Sequence, residues 1–418
     1  MPSRGFRRRA LLRAAVVGPL AGAAAGCAGV YRPLGLGGFV RVAVSWSATE
    51  LAAFQRVLGP RLDDCQLVPL GDDIDAAFGA NVAGRPDIVA LPKPKLVSGK
   101  LESLAPLPPE VWDRGYDGFW SGQLPSRDGR HYALPFKVGH SSIVWYRKRF
   151  FAEHGLAPPT TWAEWLELNE RIVERTGTAA LALGGADGWF LARFFENVLL
   201  RQFDGVYAAL VAGERGAWGS ADVRTAFAQV ARMWGGRRVL AGGAERALVA
   251  QYPEAVLEVF RYHRAAMVPA PDFAESVIRA FDVLDDDVGT FAFPAAPGLG
   301  RRLVVSGDLL VLTAPASEEA ENVLRHLADP AAPVPWIRDT GGFIAANPGT
   351  GLGDYSPALR VLARQLTTHE LHFGLTDKVP LGAMLQKVLQ DLLRALAAGT
   401  EPAAAATAAS SAMAGAGE

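Results

Sequence analysis

The sequence predicts an α/β protein in two lobes, on three observations. Strand-like apolar runs alternate with helical apolar faces from one end of the chain to the other. At 418 residues the chain is longer than one hydrophobic core usually supports, so two lobes follow. It also opens on a leader that directs the body out of the cytoplasm.

The leader has a basic head, Arg7, Arg8, Arg9 and Arg13, followed by an uncharged run of small and apolar residues from Ala14 to Gly26. That run is too short for a membrane-spanning helix, which needs about 20 apolar residues, and it suits the apolar region of a secretory signal. Arg8 and Arg9 read like a twin-arginine signal. Ala24-Ala-Gly-Cys27 is similar to a bacterial lipobox, with Ala24 in place of the usual Leu. Cleavage before Cys27 with lipidation of its thiol is the expectation. A plain cleaved signal is the alternative.

The elements follow in order. Tyr31–Gly38 is a spacer. Phe39–Ser45 alternates as a strand, and Ser47-Ala-Thr-Glu50 is a capping box for a helix that carries Leu51, Phe54, Val57 and Leu58 on one face. Pro86–Ala90 is a short strand. Tyr132–Phe136 and Ser142–Tyr146 are two more, joined by Lys137–Ser141. Thr161-Trp-Ala-Glu164 is a second capping box, and Gly177 ends that helix. A strand at Ala179–Leu183 runs into the Gly184–Gly188 loop, and a helix follows over 189–200. Helical faces return at 223–234 and 253–262. Arg302–Val305 and Leu309–Leu312 read as strands around a Ser306-Gly-Asp308 turn. Ser317 starts a helix through Leu327, and the last amphipathic helix spans 381–396. The Ala-rich tail, 401–418, lacks apolar bulk and is expected to be disordered.

Composition narrows the function. A net charge of −1 gives no basic surplus for nucleic acid. With Cys27 lipidated, Cys65 has no partner and no disulfide is expected. His369-Glu-Leu-His372 is not the His-Glu-x-x-His of zinc proteases, and two histidines without a third ligand make no metal site. Asp285-Asp-Asp287 lacks the glycine and terminal Glu of a calcium loop. There is no Gly-x-Ser-x-Gly elbow and no Walker lysine. No cofactor is implied.

The run Tyr132-Ala-Leu-Pro135, Ile143-Val-Trp-Tyr146, Arg149-Phe-Phe151, Gly155-Leu156 and Pro159-Thr-Thr-Trp-Ala-Glu164 resembles extracellular solute-binding protein family 1, the carbohydrate-capturing components of ABC importers. Val42-Ala-Val-Ser-Trp46, Pro86-Asp-Ile-Val89, Ala265-Ala-Met267, Ser306-Gly-Asp308 and Gly341-Gly-Phe343 match further parts in order, over most of residues 38–400. The resemblance implies a two-lobed periplasmic-binding-protein-like fold of type II, with a ligand cleft between the lobes and three hinge crossings. These crossings would fall near Lys137–Ser141, Arg301–Ser306 and Ala345–Gly351. Lobe 1 would be 38–138 plus 306–344, and lobe 2 would be 142–302 plus 350–398.

A sugar offers hydroxyls at its ring edge and C–H bonds at its ring face, so its site wants aromatic plates and fixed polar groups. Trp189, at the loop-to-helix junction, is the candidate stacking plate implied by the resemblance, with core packing as the alternative. Phe273 lies six residues after Met267, where the family often has Trp. Trp46 ends the first strand with Ser47 as a polar contact, although capping is the plainer role for Ser47. Asp187 is a hydroxyl acceptor or a helix cap. Asp308 is an acceptor or a turn residue. Lys137 lies on the first crossing. Lys93 and Lys95 follow the 86–91 strand, and three lysines there suit an anionic guest, although Lys95 reads as a surface charge. Glu196 and Asn197 reach the cleft or cap local structure.

The implied protein is a monomeric, non-enzymatic lipoprotein on the outer face of the cytoplasmic membrane. It captures a sugar or sugar derivative and passes it to the permease subunits of an ABC importer. The alternatives are an exported carbohydrate-active enzyme, such as a lyase or glycosidase, and a ligand sensor of the same fold.

Overall fold

Strands with no polar alternation must be covered on both faces, and the apolar runs of this chain build two separate sheets of that kind. The computed structural model describes residues 39–417, apart from 47, 80–83, 114, 117–119, 121, 204, 282, 284, 285 and 380. Residues 39–418 form one unit. Along the chain the strands are β1 (Val40–Val44), β2 (Cys65–Pro69), β3 (Ile88–Leu91), β4 (Leu104–Ala105), β5 (Ser126–Arg127), β6 (Arg130–His131), β7 (Leu134–His140), β8 (Ile143–Arg147), β9 (Ala179–Leu181), β10 (Ala265–Val268), β11 (Val288–Ala292), β12 (Arg302–Thr313), β13 (Ile344–Ala345) and β14 (Glu370–Phe373).

The first sheet runs β13-β7-β12-β3-β1-β2, with β4 and β14 also on β12. β1 lies parallel to β2 and β3, while β12 runs antiparallel to β3 and β7. The second sheet runs β11-β8-β10-β9. Helix Trp162–Thr176 packs on β9, helix Tyr252–Phe260 on β10 and β8, and helix Glu318–Leu327 on β1 and β12. Helix Gly188–Gln202 also reaches β12, the long strand of the first sheet. No helix among the described residues is long and apolar enough to cross a membrane.

Local chemistry explains the boundaries that the sequence marks. Thr161 Oγ1 accepts from Glu164 N at 3.2 Å, and Glu164 Oε2 accepts from Thr161 N at 3.2 Å, which is the reciprocal cap that satisfies a helix start. Gly177, at φ 69°, closes the same helix in the left-handed region. Ser317 Oγ accepts from Ala320 N at 3.1 Å.

Three expectations are corrected. Lys137–His140 is not a connecting loop but the second half of β7, because β12 and β13 pair with it from either side. Ser306-Gly-Asp308 is not a turn: β12 runs unbroken through it, with only an irregularity between Asp308 and Leu309. Gly139 opposes Ser306 there, and a Cβ on Gly139 would lie 2.3 Å from Ser306 Oγ. Tertiary pairing overrides local turn chemistry at both places. Lastly, the Ala-rich tail is a helix, Pro402–Gly417, packed on helices Ala221–Trp234 and Gly382–Ala397. Alanine is the strongest helix former, and its small side chain permits close approach. Met413 is fully buried at this contact, and a Cβ on Gly417 would lie 2.7 Å from Arg215 O.

Candidate functional site

β1 delivers Trp46 into a nest of rings. Its centroid lies 4.9 Å from Phe54, 5.9 Å from Phe136 and 5.2 Å from Trp336. Only its polar edge is left to pair, and Nε1 donates to Asp308 Oδ2 at 2.9 Å. Trp46 is thus a buried wall residue that orients a carboxylate. Asp308 on β12 stands opposite Lys137 on β7. Lys137 is nearly buried, and its Nζ donates to Glu50 Oε1 at 2.6 Å. The same ammonium sits 5.1 Å from the Trp336 ring and 5.4 Å from the Phe273 ring, within cation–π range. Burial pulls the lysine down, but Glu50, Asp308 and Asp272 outweigh it and leave the ammonium above its ordinary value.

A second group comes from the segments around the second sheet. β9 runs into Gly184–Gly188, where the backbone passes close to its neighbours. A Cβ on Gly184 would lie 2.9 Å from Tyr252 N, and one on Gly185 would lie 2.6 Å from Leu393 Cδ2. Asp187 holds the N-cap position of helix Gly188–Gln202 but makes no side-chain cap there. Its Oδ2 accepts instead from Tyr252 N at 2.5 Å, at the start of the neighbouring helix. Trp189, half-buried, is 5.4 Å from the Tyr252 ring and 6.0 Å from Phe273, and the last two rings are 5.2 Å apart. Asp272 is fully buried and clasps His140 of β7. Its Oδ1 accepts from His140 N at 2.7 Å, and its own N donates to His140 O at 3.0 Å. Burial pushes the Asp272 carboxyl up to about 7 against the pull of Lys137.

The contact of Lys137 with the Phe273 ring joins the two groups. The structure therefore gathers Trp46, Lys137, Asp187, Trp189, Phe273 and Asp308 into one neighbourhood. Lys93 is the first residue before helix Pro94–Ser98, half-buried, and no contact among the described residues joins it or Lys95 to Lys137. Ser47 and Cys27 lie outside the described residues. Sequence reading missed four members. Glu50 was assigned only a cap, and Asp272 stood unnoticed beside Phe273. Tyr252 and Trp336 gave no local signal.

Glu196 and Asn197 belong to a different arrangement. Arg193 Nη1 donates to Glu196 Oε2 at 2.7 Å, Arg193 Nη2 donates to Asp377 Oδ2, and Thr376 N donates to Glu196 Oε1 at 2.8 Å. Asn197 Nδ2 donates to Ser141 O at 3.0 Å. The Glu196 oxygens and the Asn197 amide nitrogen bind the protein's own groups, while Asn197 Oδ1 is buried without a hydrogen bond.

Two hollows lie elsewhere. One, of about 480 Å³, lies against β7, β13 and helix Pro357–Thr368, and Trp120, Asn347, Tyr355, Arg364 and His369 are among its walls. The other, of about 550 Å³, lies beside helix Trp162–Thr176. Neither is lined by a residue of the cluster. The cluster is preferred on chemistry, because it combines rings, an ammonium and carboxylates drawn from the flanks of both sheets.

Residues 70–332 match the family of bacterial extracellular solute-binding proteins. The osmoprotective compounds-binding protein of Synechocystis is 26% identical over 319 residues, covering 71% of this chain and 72% of the relative. Among solved structures, the bacterial solute receptor AcbH, described with an exclusive preference for β-D-galactopyranose, superposes with a TM-score of 0.75 at 17% identity, covering 90% of this chain and 98% of that one. A chitin oligosaccharide binding protein superposes with a TM-score of 0.70 at 18% identity, covering 90% and 99%. These structures share the two-lobed, type II solute-binding fold.

Proposed function

The chain belongs to the family of bacterial extracellular solute-binding proteins, and from that membership we propose that it captures a sugar or sugar derivative in a cleft between two lobes and hands it to an ABC importer. One observation carries the reading. Rings and polar groups from the flanks of both sheets meet at the Lys137–Phe273 contact, which is the composition a sugar face and edge require. Closure of one lobe on the other would complete such a site, and the preference of the guest for the closed state would supply the switch.

The lobes are taken as 38–138 plus 306–344 and 142–302 plus 350–398. The pairing of Val305 with His140 and of Ile344 with Val138 supports this division, since it sets the three proposed crossings side by side. Trp189, Phe273, Lys137, Asp187 and Asp308 are proposed to face the guest, with Trp46 behind them and Lys93 at the rim. Family membership implies export. Lipidation at Cys27 would then hold the protein at the outer face of the membrane, as a monomer beside its permease. The neighbours are binding proteins, and we read this chain likewise as making no bonds.

The test is a thermal-shift screen with neutral mono- and oligosaccharides, followed by analysis of the sugar after incubation. A ligand at a hundred times its Kd stabilises by about 2.7 kcal/mol, a clear rise in melting temperature. Recovery of the sugar unchanged is expected. Release of a shorter product would favour the enzyme alternative.

A further inference from the structure

Resting on the sugar-capture reading, we propose that the cluster reads charge: the cleft takes an uncharged or amine-bearing sugar and turns away sugar acids and sugar phosphates, with Asp272 the residue that sets the difference. In the described cluster one ammonium, Lys137, faces three carboxylates, Glu50, Asp308 and Asp272. That ammonium is already committed to Glu50 at 2.6 Å. Arg193 has no charge to spare either, being held by Glu196 and Asp377. The carboxylates are spent unevenly. Asp308 Oδ2 accepts from Trp46, and Asp272 Oδ1 accepts from the His140 amide.

Beside Trp336 Nε1 and His140 Nδ1, two oxygens of the cluster remain buried without a hydrogen bond, Asp272 Oδ2 and Tyr252 Oη. They belong to adjoining groups, for the Tyr252 ring packs on Phe273, the residue next to Asp272, and the Tyr252 hydroxyl feels the negative charge of Glu50 and Asp272. A buried polar atom left unpaired is costly, so a guest that satisfies both gains affinity. A sugar hydroxyl can donate to Asp272 and accept from Tyr252. A protonated amine can donate to both, and its bond to the carboxylate is charge-assisted. A carboxylate or phosphate has no proton to give an ionised Asp272, and there it meets like charge in a low-dielectric setting. This geometry opposes the anionic guest that three neighbouring lysines would suit.

The experiment compares matched sets on the full chain by thermal shift and titration: galactose, galactosamine, galacturonate and galactose 6-phosphate, then the glucose and mannose equivalents. In the set that binds best, the acid and the phosphate are expected to bind at least about tenfold more weakly than the neutral or amino member, the order expected for losing a hydrogen bond to a charged group. Asp272→Asn should shrink the amine-over-acid ratio by about tenfold. Should that variant not fold, the same ratio is read in Asp308→Asn, where it should also shrink. An acid or phosphate as the strongest binder, or a ratio unmoved by both substitutions, overturns the inference and leaves sugar capture standing. No shift with any member of any set overturns sugar capture and this inference with it.

Discussion

Two buried charge clusters in this protein spend their polar groups differently. Around Arg193, every partner is internal: Glu196 and Asp377, essentially inaccessible, share the guanidinium, and Thr376 N fills the remaining Glu196 oxygen. Around Lys137, carboxylates outnumber the cation, Glu50 keeps about a third of its side chain exposed, and Asp272 and Tyr252 retain unused hydrogen-bonding atoms. A closed network holds a fold together. A network with unspent capacity, walled by aromatic rings, can hold something else.

The sharpest way to break the comparison is Arg193→Ala. It strands two buried carboxylates and should cost about 3–5 kcal/mol, read as a fall in the denaturant midpoint. A loss below about 1 kcal/mol would show that the cluster is not the closed network described. Next comes Lys137→Met, which leaves Glu50 with access to water, Asp308 with its bond to Trp46 and Asp272 able to keep its proton. A loss of about 1–2 kcal/mol is expected, together with a much larger proportional loss of sugar-induced stabilisation. If both substitutions hurt stability alike and spare binding, the distinction between the clusters fails.

The smallest effect is in pH dependence. Burial holds His140 down at about 4 from 6.5 and pushes Asp272 up to about 7 from 3.8. A depressed histidine gives stability that is present above pH 6.5 and lost as pH falls toward 4. A raised carboxyl gives stability that is present below pH 3.8 and lost as pH rises through 7. Across pH 4–7 the two therefore oppose each other. Asp272→Asn should make melting temperature fall more steeply with acid in that window, and His140→Gln should make it fall less. Parallel slopes in both variants and the parent would contradict the assignment.

Much of the site could be read from local sequence, and the remainder could not for a definite reason. Thr161 and Glu164 announce a helix start because the bonds they make are three residues apart. Trp189 is placed by its glycine loop. Lys137 could be flagged by position, but its partner Glu50 lies 87 residues away and reads locally as a cap. Asp272 meets His140 across 132 residues, and no pattern near Asp272 declares that. The same limit explains the strand mistaken for a turn at Ser306-Gly-Asp308. Its turn chemistry is local, whereas the pairing of β7 that straightens it is not. The alanine tail misleads in the other direction. It lacks the bulk that usually signals burial, yet small side chains are what let its helix lie close on Ala221–Trp234.

The measurement that bears most directly on capture at this cluster is the thermal shift given by the best sugar to the parent chain and to Trp189→Ala. Trp189 is half-buried at the edge of the ring trio, so its removal should leave the unliganded melting temperature within a few degrees. The sugar-induced shift should disappear, consistent with about 1–3 kcal/mol lost with the aromatic plate. A shift of the same size in the variant would place the sugar somewhere other than beside Trp189, Tyr252 and Phe273, and would contradict the account.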